Sequence, residues 1–218
     1  MKTWLVAGLL LGMALAQDVP VNPEQLGFLD LADFELHGPV RQVKTCFLAA
    51  DYCETVQFNR YGIELNEVKN RTLVSSQNGV VVFESKTNHG KLIDTYQNGV
   101  LFSREEDGGD ITSTRRVFEY NAEFLPIKET LYTSQDGMYL PEGINIYTYQ
   151  DGHLVSVGAE DGSFTVYYNA KGAKTAEKSV TDGETFLTEY THDYDAQGNW
   201  IKLYEAGELT ATREISYQ

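Results

Sequence analysis

The chain reads as all-β: an antiparallel meander of hairpin repeats, strongly twisted or curled toward an open barrel, behind an extended amino-terminal arm. Three observations predict this. Beyond residue 36, short runs rich in Val, Ile, Thr, Tyr and Phe are punctuated by Asn-Gly, Asp-Gly, Gln-Gly and Lys-Gly, the sequence form of hairpins with tight turns. Inside the runs the residues alternate. In ETFLTEYTHDY, Phe186, Thr188, Tyr190, His192 and Tyr194 share one face and Leu187, Glu189, Thr191 and Asp193 the other, as in a sheet with one packed and one wet face. The third observation is a recurring phrase, an aromatic followed by Asn, Asp or Gln, one or two linkers and glycine. It stands at Phe58-Asn59-Arg60-Tyr61-Gly62, Tyr149-Gln150-Asp151-Gly152, Tyr168-Asn169-Ala170-Lys171-Gly172 and Tyr194-Asp195-Ala196-Gln197-Gly198, with a glycine-free form at Tyr120-Asn121-Ala122-Glu123. The aromatic caps the core at a strand end, Asn or Asp takes backbone hydrogen bonds in the turn, and glycine adopts the left-handed conformation without a steric penalty. One such unit cannot bury its aromatic alone, so units must stack.

In chain order, Met1 to Ala16 is a lysine followed by an apolar run and closed by Ala14-Leu15-Ala16, the form of a secretory signal cleaved after Ala16. It is short for a bilayer span, and no later segment is long and apolar enough to cross. The expected organisation is signal 1–16, arm 17–36 with a short helical turn around Glu24 to Phe34, and one β-repeat domain over 37–218. Strands are expected near 38–48, 51–59, 63–76, 79–86, 91–96, 99–104, 112–120, 125–133, 144–149, 153–159, 162–168, 173–180, 185–194, 199–205 and 208–216. A flat sheet that wide is unusual, so curling or splitting is expected. The last strand, with Arg213 and Glu214, reads as a charged edge.

Cys46 and Cys53 flank a hairpin tip at Ala49-Ala50 that sets Phe47 against Tyr52 and one cysteine against the other, the arrangement of a structural disulfide. An exported chain meets the oxidising compartment where such a bond persists. The spacing is not CxxC, and no second cysteine pair exists for a four-ligand zinc site.

Residues with chemical potential are scattered. Four histidines, His37, His89, His153 and His192, lack the spacing of a helical metal motif, and no nucleophile elbow, HExxH or phosphate loop is present. No catalytic residue, cofactor or metal site is assigned. Glu105, Glu106, Asp107 and Asp110 gather round Gly108-Gly109, an acidic hairpin tip or else a weak calcium site that lacks the twelve-residue loop pattern. Asn70-Arg71-Thr72 matches a glycosylation acceptor. The candidate binding residues are aromatic: Tyr147 and Tyr149, on one face of their strand, and Tyr190, His192 and Tyr194, on one face of theirs. An outward row of this kind offers contact area to glycan rings or to a partner's strand, although cross-strand aromatic pairs also serve stability alone.

The last unit, YTHDYDAQGNWIKLY, with Tyr194, Asp195, Gly198, Asn199 and Trp200, resembles the tyrosine-aspartate (YD) repeat of the bacterial RHS type. FELHGPVRQVKTCF resembles the opening of small exported bacterial proteins that carry such repeats. The resemblance covers roughly residues 36–218 and is strongest in the carboxy-terminal half. It implies a winding β-sheet scaffold and no catalytic residues. The spacing is irregular, since the aromatics at 120, 149, 168 and 194 are 29, 19 and 26 residues apart.

With 32 acidic residues against 17 Lys and Arg, the formal charge is -15. That surface repels nucleic acid and anionic lipid headgroups. The expected function is therefore a noncatalytic exported β-repeat protein, periplasmic or secreted, with a structural or binding role at the bacterial envelope and an envelope protein or glycan as partner. The alternatives are an enzyme acting on envelope glycans, which needs a pocket joining His192 or the carboxylates of 105–110 to a second titratable group, and an inhibitor or immunity-like partner of another exported protein, which needs a compact acidic and aromatic patch.

Overall fold

The computed structural model describes residue 26 and residues 34–65, 70–87, 90–108, 113–135 and 137–218. The signal segment and most of the arm, including its expected helical turn, fall outside the described residues, as do His89 and Asp110.

Fifteen strands form one antiparallel sheet: β1 (Val40–Phe47), β2 (Tyr52–Gln57), β3 (Arg71–Gln77), β4 (Val80–Thr87), β5 (Gly90–Gln97), β6 (Val100–Asp107), β7 (Thr114–Tyr120), β8 (Pro126–Gln135), β9 (Met138–Gln150), β10 (His153–Ala159), β11 (Phe164–Tyr168), β12 (Lys174–Thr181), β13 (Glu184–Tyr194), β14 (Trp200–Glu205) and β15 (Glu208–Tyr217). The spatial order is β2-β1-β15-β14 and then stepwise down to β3.

Two expectations about the sheet's outline are corrected. The sheet is neither closed into a barrel nor strongly curled; it is one open ladder that ends at β2 and β3, which do not pair with each other. And β15 is no edge, because β1 pairs along it from Val40↔Tyr217 to Phe47↔Ala211 while β14 pairs on its other side. A meander leaves its first and last strands exposed. Here the first hairpin folds back onto the last strand, satisfying the outward backbone groups of β15 and moving one edge to β2.

Two kinds of turn recur. Asn78-Gly79, Asn98-Gly99, Asp151-Gly152, Asp182-Gly183 and Ala206-Gly207 place both central residues at positive φ, the hairpin form whose twist matches that of the strands. Four units of the recurring phrase build the other kind, whereas the fifth, Tyr149-Gln150-Asp151-Gly152, forms a two-residue turn of the first kind. Asn59 Oδ1 accepts the N–H groups of Tyr61 and Ile63, Asn121 those of Glu123 and Leu125, Asn169 those of Lys171 and Ala173, and Asp195 those of Gln197 and Asn199, at 2.8–3.2 Å. The residue three places after each Asx has positive φ: Gly62, Gly172 and Gly198, and Phe124 in the glycine-free unit. Strand alternation puts all four of these turns on one rim of the sheet. The turns β1–β2, β12–β13 and β14–β15 lie on the opposite rim.

The buried residues form three clusters. Leu26 packs with Val81, Phe83, Tyr96, Leu101 and Phe118. Leu36 packs with Val40, Val43 and Phe58, and Ala173 with Trp200 and Ala211. Leu26 and Leu36 show the arm covering sheet residues that would otherwise meet water.

Strand ends differ from expectation where local signals mislead. The expected strand over 63–76 starts only at Arg71, and the one over 144–149 starts at Met138. Pro141 sits inside β9 opposite Tyr132, next to a register shift, a position where a missing N–H is tolerated.

Candidate functional site

The expected hairpin is present: Cys46↔Cys53 and Phe47↔Tyr52 pair across β1 and β2, and the cysteines form a disulfide.

Tyr190, His192 and Tyr194 lie on one face of β13, as expected, beside residues that were not among the binding candidates. The His192 ring is 5.9 Å from Tyr194 and 5.8 Å from Trp200. The Arg213 guanidinium lies 3.4 Å from the centre of the Trp200 ring, Lys174 4.0 Å from that of Tyr190 and Lys171 3.9 Å from that of Tyr194. Cations over ring faces are held by the ring quadrupole. Glu35 closes the group, accepting the Trp200 indole N–H at 2.5 Å and the Lys174 backbone N–H at 3.0 Å. Arg213 donates to the Phe34 carbonyl and to Thr45 Oγ1. Next to them Asn199, fully buried, accepts the His37 N–H and donates to the His37 carbonyl and the Tyr217 hydroxyl. The row thus fastens residues 34–37 to the sheet.

Burial pulls the His192 pKa down, against the raising effect of Glu35 and together with the lowering effects of Arg213 and Lys174, so the imidazole is neutral at pH 7. Burial also lowers the Arg213 pKa, to about 10, opposed by Glu35 and Glu54, which leaves the side chain charged at neutral pH.

Tyr147 and Tyr149 belong to a separate group. Three strands separate β9 from β13, a gap of roughly 19 Å. Phe118, Glu129 and Asn145 are paired across β7, β8 and β9. The buried Glu129 carboxylate takes Arg116 at 3.3 Å, the Asn145 amide at 2.9 Å and the Tyr147 hydroxyl at 3.4 Å. Burial first, and the Glu129 charge second, push the Tyr147 pKa up. Burial, and then Tyr149, push that of Tyr120 up to about 12. Both phenols hold their protons at neutral pH and act as donors, not as bases. In sequence Glu129 is one acid among many, and only the strand register reveals its role.

The acidic run is strand up to Asp107, so Glu105 and Glu106 project to opposite faces, facing Arg115 and Thr114. Consecutive strand residues cannot converge on one ion. Among the described residues no group of three or more His, Cys, Asp or Glu is placed to hold a metal. Asn70-Arg71-Thr72 runs into β3, the far edge of the sheet. No described helix is long and apolar enough to cross a membrane.

No protein-family model and no curated protein matches the chain. The fold and its turns define an all-β protein, one broad antiparallel sheet with repeat-like strand order.

Proposed function

We propose that the chain is a noncatalytic β-repeat protein, exported to the bacterial envelope, with a binding or scaffolding role. The observation that carries this is how the polar side chains of the sheet are used. Arg104 grips Asp94 through two bonds of 2.6 and 2.7 Å, Arg116 and Asn145 share Glu129, and Glu35 and Arg213 fasten the arm. These groups are spent on joining strands. A general acid or base instead needs a lone pair or proton turned toward a substrate. Export rests on the Met1 to Ala16 pattern, and the RHS-like reading on the aromatic-Asx-glycine turns.

In-cell crosslinking followed by fractionation tests the proposal. A reproducible envelope protein or peptidoglycan adduct on a chain that begins after Ala16 supports it. A cytosolic chain that retains Met1 to Ala16 refutes export, and release of fragments from purified peptidoglycan refutes the noncatalytic role.

A further inference from the structure

The rim opposite the Asx turns is chemically unlike the rest of the molecule. The β1–β2 and β14–β15 turns are drawn together there, and the β12–β13 hairpin projects past them, since Glu184–Glu189 pair only with β12. The Leu48 N–H donates to the Thr210 carbonyl at 2.9 Å, setting the β1–β2 tip beside β15, and the Ala206 N–H donates to the Glu189 carbonyl at 3.0 Å, setting the β14–β15 turn beside β13. Four large apolar side chains lie at the two joined turns, Phe47, Leu48, Tyr52 and Leu209, each 38–55 % exposed, while Phe186 and Leu187 lie exposed on opposite faces of the projecting β12–β13 hairpin. The Phe47 and Tyr52 rings stack at 6.5 Å and 7°, at the tip that the Cys46–Cys53 bond closes.

The same segments are acidic. Residues 45–59, 180–190 and 203–212 contain no lysine or arginine. Asp51, Asp182, Glu184, Glu205 and Glu208 are exposed there, and among the described residues none of the five forms an ion pair.

We infer that this acidic, apolar end is a docking surface for a basic protein whose apolar side chains receive the Phe47–Tyr52 pair and its neighbours. The assignment rests on the binding role proposed above. Charge decides the class of partner. A second copy would set carboxylate against carboxylate, and nucleic acid or an anionic membrane would meet the same repulsion, whereas a basic surface is steered in and gains apolar burial. Size decides against a small cation, because the end spans β2 to β13, about 19 Å at the usual strand spacing. The disulfide fits the role too, since a tip held rigid before contact loses less entropy on binding.

The test uses the full mature chain and two probes, an amphipathic Leu/Lys helical peptide and its Leu/Glu counterpart, with amide chemical shifts mapping the contact. The Leu/Lys peptide is expected to shift residues 47–52 and 206–209, and the Leu/Glu peptide to shift nothing. Phe47→Ser with Tyr52→Ser, which leaves the charge unchanged, should weaken binding by about tenfold or more. Asp51→Lys with Glu208→Lys provides a second variant pair that alters charge alone and should weaken binding as well. Shifts spread over the whole acidic surface and insensitive to both pairs would overturn the inference, as would equal binding of the Leu/Glu peptide or dimerisation through this end. A localised contact elsewhere would overturn the assignment of this end while leaving the binding role standing. No binding of either peptide would overturn this inference alone, because the crosslinking experiment tests the wider role independently.

Discussion

Phe124 shows how far a single residue can depart from the pattern around it. It holds φ 60 at the position where the three other Asx turns carry glycine, and it is 61 % exposed. A left-handed L-residue costs about 1–2 kcal/mol, part of which glycine returns through its greater freedom in the unfolded chain. Phe124→Gly should therefore stabilise the fold by about 0.5–1 kcal/mol in chemical denaturation, and a loss of stability would show that the ring is held by packing. His192 supplies a pH test. Its folded pKa lies below the unfolded value, so the unfolded chain binds the proton more readily. This contribution is complete above about pH 6.5 and is lost as pH falls through the folded pKa. His192→Asn should flatten the stability profile in that window, and an unchanged profile would contradict the assignment. Alternation was enough to place His192 between Tyr190 and Tyr194. Trp200 and Arg213 were hidden because cross-strand register brings them in, and Glu35 because it arrives from the far end of the chain, 165 residues before Trp200.

At the level of elements, turn chemistry was the most legible part of the sequence, because Asn-Gly and Asp-Gly encode backbone angles directly. All fifteen strands fall near their expected places for this reason. The errors lie where that chemistry is overridden, as at Pro141, whose missing N–H is tolerated beside a register shift within β9. Ala206 reaches φ 49 without an Asn or Asp side chain, so that turn was marked by its glycine alone. The Asx turns offer a further test. Asn121→Ala removes the acceptor for the Glu123 and Leu125 N–H groups and should cost about 1–2 kcal/mol. Asn121→Asp keeps the acceptor, as Asp195 does in its own turn, and should stay near the parent. Equal losses in thermal melts would mean that the side-chain oxygen does not hold the turn.

For the whole molecule, the sequence pointed to a meander but not to its closure. Nothing local in VRQVKTCF says that it pairs with residues 211–217, because that contact is decided by which edge most needs covering once the other strands have formed. The same step assembles the acidic end, since β1 brings Leu48 beside Thr210 and the stapled tip beside the β14–β15 turn. Both the closure and the acidic end require β1 to pair along β15, and amide hydrogen exchange of the mature chain tests that most directly. β14 pairs with Glu208–Thr212 and β1 with Ala211–Tyr217, so β15 should show slow amides along its whole length. They should fall at successive residues where the two ladders overlap at Ala211–Thr212 and at alternate residues elsewhere, including Arg213–Tyr217, which only β1 covers. Fast exchange at every amide of Arg213–Tyr217 would show that β1 does not pair there, and neither the closure by β1 nor the acidic docking end would stand.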